Sequence, residues 1–269
     1  MGRRREWFGS LLLRAPAPIR ALRKIPVLGG WIHSVSHRIL PPEERLWVQV
    51  ESGPAKGLYL ELNPRTGEQY LRGEVEPATQ KALVENLRPG MIFYDLGANL
   101  GFFSLLAARL VGAGGRVFSF EPDVEVAARL RRNVLQNEFA NITVVEAGIW
   151  SVNAEVQFIP SDGSSAERGT GKFVAGGAQT VGVRARCVAL DEFIKTAPPP
   201  DGIKFDVEGA EIEALRGASE LLRSKRPWLT CELHSEANDR MAREFLDRAG
   251  YEIESLDSNH ILAKPRAER

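Results

Sequence analysis

Cysteine is nearly missing from this chain of 269 residues: only Cys187 and Cys231 occur. Two thiols without metal-ligand spacing exclude a disulfide-built secreted scaffold and a cysteine-rich metal module. Each falls in a predicted strand and reads as a small buried apolar residue in a reducing compartment. Long apolar runs are missing as well. Nothing approaches the roughly 18 consecutive apolar residues of a spanning helix, and the longest early run, residues 11–13, is too short for a signal-peptide core. An excess of one charge is also lacking, because 35 Lys and Arg balance 35 Asp and Glu. The chain as a whole therefore has no strong field for nucleic acid. Met1-Gly2 opens like an acylation signal, but Glu6 stands where Ser or Thr is required. These absences describe a cytoplasmic protein, and 43% hydrophobic content allows one catalytic-size domain with a real core.

The charge that is present is unevenly spread. Residues 1–40 hold eight basic side chains against the single acid Glu6. With Trp7, Phe8, Leu11, Leu12, Ile19, Leu22 and Ile25 among them, residues 1–45 form a basic amphipathic arm, broken by Pro16, Pro18 and Pro26. Such an arm packs on its own domain or a twin subunit, or attaches peripherally to the inner face of a membrane. His33 and His37, four apart within it, have no further ligands nearby and do not make a metal site.

From residue 46 the pattern is that of an α/β protein. Residues 46–50 and 57–62 read as a lead-in hairpin around Ser52-Gly53-Pro54, and residues 77–87 as a helix stopped by Pro89-Gly90. Over residues 91–264, strands at 91–96, 116–120, 142–146, 202–206 and 228–233 alternate with helical periodicities. The helices are expected from Phe102, over 124–137, as one helix through Ile212, Leu215, Ser219 and Leu222, and over 238–249. Residues 251–256 and 260–263 close the sheet as a hairpin, and 156–159 and 181–187 are additional strands. Alternation at this spacing calls for a doubly wound, mostly parallel sheet of seven strands, Rossmann-like in layout, behind an N-terminal extension. The segment 161–179, with five glycines, reads as a long loop, either a bare insertion or a lid.

The most informative stretch is Tyr94-Asp95-Leu96-Gly97-Ala98-Asn99-Leu100-Gly101-Phe102-Phe103. An apolar strand stops at an acid, turns through glycines that let the backbone lie close to a ligand, and enters a helix. Twenty residues beyond Gly101, the next strand ends at Glu121, where nucleotide folds place a carboxylate that accepts bonds from ribose hydroxyls. Asn99 occupies the position that dinucleotide fingerprints give to glycine for the pyrophosphate. A bulkier residue there argues for a nucleoside without a pyrophosphate, of which S-adenosylmethionine is the common one.

A second constellation lies at Ile203-Lys204-Phe205-Asp206-Val207-Glu208-Gly209-Ala210-Glu211, three carboxylates where a strand passes into a helix. They position a substrate hydroxyl, take its proton or bind an amino group; for Glu208 and Glu211, favouring a helix N-terminus is the competing role. Cys231-Glu232-Leu233-His234 brings a carboxylate and an imidazole to the same sheet edge, with Glu232 and His234 on one face by strand alternation. His234 is a candidate base for an alcohol, and an idle loop histidine is the alternative. No metal is expected; the one set proposed for a divalent ion would be Asp206, Glu208 and Glu232.

Taken together, residues 70–76, 95–104, 120–122, 203–211 and 232–234 resemble the FkbM-type methyltransferase family, over roughly residues 46–263. The resemblance implies a class I methyltransferase fold, S-adenosylmethionine as donor, and O-methylation of a hydroxyl on a sugar, glycan or secondary metabolite. It places the methionine end of the donor on Asp95 and the Gly97, Ala98, Asn99 and Gly101 backbone, the ribose at Glu121 beside Pro122, and the adenine at Glu146 or its neighbours. Proton removal then falls to His234 or Asp206, with Glu232 beside them. Two competing functions are a non-catalytic scaffold that keeps the fold and a nicotinamide-dependent oxidoreductase. Intact Asp95, Glu121 and Asp206 weigh against the first. Asn99 and the lack of a Tyr-x-x-x-Lys relay weigh against the second.

Overall fold

The computed structural model describes residues 44–64, 66–160, 171–173 and 182–267. Nearly all of the basic arm and most of the glycine-rich segment fall outside these residues. No helix among the described residues is long and apolar enough to cross a membrane.

The hairpin β1 (Leu46–Gln49) and β2 (Tyr59–Leu62) precedes two helices, α1 (Glu68–Arg72) and α2 (Pro77–Asn86). The alternating core follows as β3 (Ile92–Leu96), α3 (Phe102–Val111), β4 (Arg116–Phe120), α4 (Val124–Gln136) and β5 (Ile142–Val145). After an insertion come β10 (Gly202–Phe205), α6 (Glu211–Arg216), α7 (Ser219–Ser224), β11 (Trp228–Glu232), α8 (Glu236–Arg248), β12 (Tyr251–Ser255) and β13 (His260–Pro265). The insertion holds β6 (Gly148–Ile149), β7 (Ala154–Ile159), β8 (Lys172–Phe173), β9 (Val183–Val188) and α5 (Leu190–Phe193).

One sheet has the seven strands the sequence calls for, in the order β12-β13-β11-β10-β3-β4-β5. Only β13 runs against the others. The additional strands of the insertion do not join it. They form a separate sheet, β6-β9-β7-β8, which includes the short strand β8 inside the segment read as a loop.

Alternation along the central strands divides the core between the two faces of the sheet. Phe93 and Val117 face α2 and α3 in one apolar cluster, while Tyr94, Phe118, Ile203 and Leu229 face the other side, with α6, α7 and α8. The chain winds from β3 outward through β4 to β5, then returns to β10 on the opposite side of β3. This reversal opens a crevice at the carboxyl ends of β3 and β10, where doubly wound sheets receive ligands.

The single helix expected over residues 212–222 is instead two, and Asp191 explains why. The Asp191 amide takes the Gly217 carbonyl at 2.8 Å, drawing it out of the helical ladder. The Asp191 carboxylate then accepts from the amides of Glu220 and Leu221, at 3.0 and 2.8 Å, and so caps α7 from another element. The last long helix starts two residues earlier than expected, because Ser235 accepts from the Asn238 amide as its N-cap.

Candidate active site

The loop after β3 is built on a backbone contact that only glycine permits. Gly97 has φ +75°, and a Cβ there would stand 1.7 Å from the carbonyl oxygen of Asp206. The two loops at the switch point are thereby pressed together. The Gly97 and Ala98 amides both donate to the Phe120 carbonyl, at 3.0 and 2.9 Å, which ties the same loop to β4. Gly101 opens α3 at φ +87°, in contact with Leu130 of α4. Asn99 holds a positive φ of 47°, a backbone state rare for a non-glycine residue.

A cleft of about 260 Å³ lies over these strand ends. Gly97 and Asn99 line it from the β3 loop, and Glu121, Pro122 and Asp123 from the end of β4. Its apolar wall is Ile149, Phe158 and Phe173 from the small sheet. Its acidic wall is Glu76, Asp206, Glu208 and Glu232.

Glu121 is fixed by two backbone donors, the amide of Asn99 at 2.9 Å on one oxygen and that of Asp123 at 2.9 Å on the other. Burial outweighs these bonds and pushes its carboxyl up to about 8. Asp95 lies beneath the loop, fully buried, accepting from Ser104 Oγ at 2.5 Å, while Ser104 accepts from Ser119. Its carboxyl is raised by burial, against Lys204 and Ser104, which lower it. Asp95 thus shapes the loop from below, and Ala98 and Gly101 likewise support the cleft without lining it. Glu146 does not enter the cleft: it pairs with Arg131 at 2.7 Å on the surface.

The acidic end is held together by cations on its floor. Lys204, 3% exposed, donates to Asp206 at 2.8 Å and lies 4.8 Å from the centre of the Phe103 ring. Burial acts on Lys204 against its charge, but Asp206, Glu76 and Asp95 more than offset it, so it stays protonated. Burial alone would raise Asp206; Lys204, His234 and Glu232 together outweigh burial and hold its carboxyl below the usual range. Glu208, at φ 47°, is pushed up to about 7 by burial and by the charge of Asp206.

The structure brings His234 into this group. Its Nε2 lies 3.3 Å from Glu208, 3.8 Å from Glu232 and 4.0 Å from Asp206. Its Nδ1 lies 2.6 Å from Glu211, which also accepts from the Gly209 amide at 2.8 Å and from the Asn238 side chain. Burial lowers His234, but Glu211 and the surrounding carboxylates prevail and bring it up to about 9. Glu211 is therefore more than a helix-terminal charge: it is the buried partner that orients the imidazole.

Sequence reasoning missed one residue of this wall and one that pairs with it. Glu76, at φ 38° ahead of α2, lines the cleft from the lead-in segment, and Nε2 of His260, on β13, lies 3.3 Å from it. Glu76 stands in a motif that was legible, residues 70–76, but no chemistry marked it. His260 carried no signal, since its neighbours come from segments up to 184 positions away.

The cleft also fits a nucleoside donor on its own terms. The side-chain oxygen Oδ1 of Asn99 and Oδ1 of Asp206 are buried without a hydrogen-bond partner among the described residues, and the Gly97 turn leaves no room for a side chain. Acceptors and close backbone together suit a ligand with an ammonium group and hydroxyls.

The sequence and fold agree with known proteins. The model of the methyltransferase FkbM domain matches residues 95–253. The chain is 28% identical, over 193 residues, to the hexuronic acid methyltransferase AglP of Haloferax volcanii, covering 70% of this chain and 74% of that protein. It is 38% identical over 91 residues to the 31-O-demethyl-FK506 methyltransferase FkbM of Streptomyces tacrolimicus, covering 34% of this chain and 30% of that one. Among solved structures, an S-adenosylmethionine-dependent O-methyltransferase from Thermotoga maritima superposes with a TM-score of 0.50 at 14% identity, covering 83% of this chain and 78% of that one, a likeness of fold. With its glycine loop, its acidic wall and the greater part of its length inside that domain, the chain belongs to the FkbM family of S-adenosylmethionine-dependent methyltransferases.

Proposed function

We propose that the chain methylates a hydroxyl oxygen on a sugar or sugar-bearing acceptor, at the acidic end of the cleft. The observation that carries this is the grouping of Asp206, Glu208 and Glu232 around Nε2 of His234, with Glu211 behind the ring. Such a wall is rich in acceptors for the O–H groups of a polyol. It places beside them a ring that exchanges a proton as a hydroxyl becomes an ether. The likeness to a hexuronic acid methyltransferase supports a sugar as the acceptor class.

S-adenosylmethionine, when bound, supplies a methyl group already activated on a sulfonium. The residues that would hold it are the Gly97 backbone and Asn99 at the methionine end, Glu121 at the ribose, and Pro122, Asp123 and Val126 toward the base, with Ile149 and Phe158 as the apolar wall. Asp95, Ala98 and Gly101 act by holding that loop in place. For the acceptor, Asp206 and Glu232 orient the hydroxyl, and the neutral form of His234, which gains population as pH rises toward about 9, accepts its proton at Nε2. Alignment contributes most, since a held hydroxyl loses the entropy barrier of a two-body encounter. Residues 91–264 form the catalytic unit in this reading, and residues 46–90 serve as a cover that brings Glu76 to the acceptor.

The test is methyl transfer to a panel of neutral sugars, uronic acids and polyketide alcohols, with the product's methyl located by NMR. Methylation at a sugar oxygen that is lost in His234→Gln, with donor affinity kept, is the expected result. A methyl found on nitrogen or carbon, or a His234→Gln enzyme at full rate, overturns it.

A further inference from the structure

Glu232 spans two histidines. One of its oxygens lies 3.8 Å from His234, and the other, Oε2, lies 3.7 Å from Nε2 of His260. On the His260 side, Glu76 Oε2 approaches the same Nε2 at 3.3 Å. The ligand-capable atoms of Glu76, Glu232 and His260 all lie within 4.8 Å of one another. Metal–ligand bonds of about 2.0–2.2 Å set neighbouring ligand atoms roughly 3–3.5 Å apart, so small side-chain adjustments close this trio around one ion.

Three features separate this trio from an ordinary acidic cluster. His260 is only 9% exposed, and its Nε2 and Glu76 Oε2, both buried, have no partner among the described residues beyond the ion pairs that Nε2 makes with Glu76 and Glu232. The other ring nitrogen, Nδ1, is bound to Asp257 at 2.8 and 3.0 Å. Asp257 is itself fixed by the amides of Asn259 and His260. A carboxylate behind one ring nitrogen, with the other aimed at two more carboxylates, is how proteins orient a metal-binding imidazole. The neighbouring trio of Asp206, Glu232 and His234 is a weaker candidate, because Asp206 is neutralised by Lys204 at 2.8 Å and His234 already faces Glu208. The set that the sequence offered for a divalent ion, Asp206, Glu208 and Glu232, is not one of the groupings among the described residues whose ligand atoms lie within 4.8 Å of one another.

We propose that Glu76, Glu232 and His260 bind one divalent cation of the manganese or zinc class at the acceptor end of the cleft. One imidazole with two carboxylates suits these ions better than magnesium or calcium, which favour oxygen alone. Glu76 and Glu232 line the cleft, so positions left open on the ion face the acceptor. There it would hold a hydroxyl or carboxylate oxygen and offset the repulsion that this acidic wall exerts on an anionic sugar. That use rests on the function proposed above; the binding of the ion does not.

The experiment titrates the full chain, stripped with chelator, with manganese(II) alone, by calorimetry and water-proton relaxation. One saturable ion per chain is expected, weakened about tenfold or more in Glu76→Gln and in His260→Gln and kept within about threefold in Arg131→Ala, a surface change remote from the cleft. No saturation for manganese(II) or zinc(II) up to about millimolar concentration, or both Gln variants binding as well as wild type, overturns the proposal. If a variant fails to fold, pulsed EPR of the wild-type manganese complex decides. Histidine nitrogen coupling supports the site, and its absence overturns it. S-adenosylmethionine is titrated into the same stripped protein. Donor binding without ion binding removes only this inference, and ion binding without donor binding removes the function proposed above.

Discussion

Nδ1 of His234 and Oε1 of Glu211 stand 2.6 Å apart, and Glu211 is fully buried. An ionised carboxylate can only accept, so Nδ1 keeps its proton, and Nε2, turned toward Asp206, Glu208 and Glu232, is the nitrogen that loses its proton as pH rises through about 9. Replacing His234 by Gln should lower kcat for methyl transfer by about 10²–10⁴-fold while leaving donor affinity unchanged. Glu211→Gln should lower kcat by about tenfold or more and shift its pH profile, since its effect passes through the ring. A Glu211→Gln enzyme that loses thermal stability but keeps the wild-type pH profile would assign Glu211 a packing role only.

Glu121 makes donor binding depend on pH. Its folded-state value of about 8 lies above the ordinary 4.5. Its stabilising contribution to the fold is therefore full below about 4.5 and is lost as pH rises through about 8. Donor binding runs the other way, because ribose hydroxyls donate to a carboxylate. Calorimetry in buffers of differing ionisation enthalpy should show about one proton released at pH 7. Affinity should rise with pH up to about 8, and Glu121→Gln should abolish both effects. A pH-independent wild-type affinity would show that Glu121 does not take the ribose.

Gly97→Ala tests the contact between the two loops. The added Cβ meets the Asp206 carbonyl at 1.7 Å and forces a non-glycine residue into a left-handed backbone. Urea denaturation should show a loss of about 2–4 kcal/mol, with donor binding abolished. A variant as stable as wild type would mean that the loops separate freely.

Asn133 joins the lead-in hairpin to the donor loop. Fully buried on α4, it accepts from the Glu61 amide and donates to the Leu100 carbonyl, both at 2.8 Å. Asn133→Ala strands both groups and should cost about 1–3 kcal/mol for each left unpaired. Asn133→Asp keeps the acceptor but sets a buried carboxylate against the Leu100 carbonyl, so its cost in denaturation at about pH 8 should exceed that of Asn133→Ala; a smaller cost would contradict the donor role of Asn133.

The parts of the molecule legible in the sequence were those set by local pattern. The strand–turn–helix at Asp95 to Phe103, the strand ending at Glu121, and the delivery of Asp206, Glu232 and His234 to one sheet edge follow from periodicity and turn chemistry, and the seven-stranded sheet follows from their alternation. What escaped depends on contacts between distant segments. Asp191 splits a helix that periodicity alone would continue. Glu146 stands one residue past a strand end as Glu121 does, yet Arg131 draws it to the surface. The small sheet that walls the cleft pairs β7 with β9 across the glycine-rich segment, a pairing that no local signal announces. Glu76 and His260 meet only because α2 and β13 pack together at the edge of the cleft.

The most direct test is a crystal structure with S-adenosylhomocysteine, the spent donor. The account predicts ribose hydroxyls on Glu121, the amino acid end against Gly97 and Asn99, and the sulfur facing the basin formed by Asp206, Glu232 and His234. A nucleoside bound elsewhere, or a sulfur turned away from that basin, would contradict it.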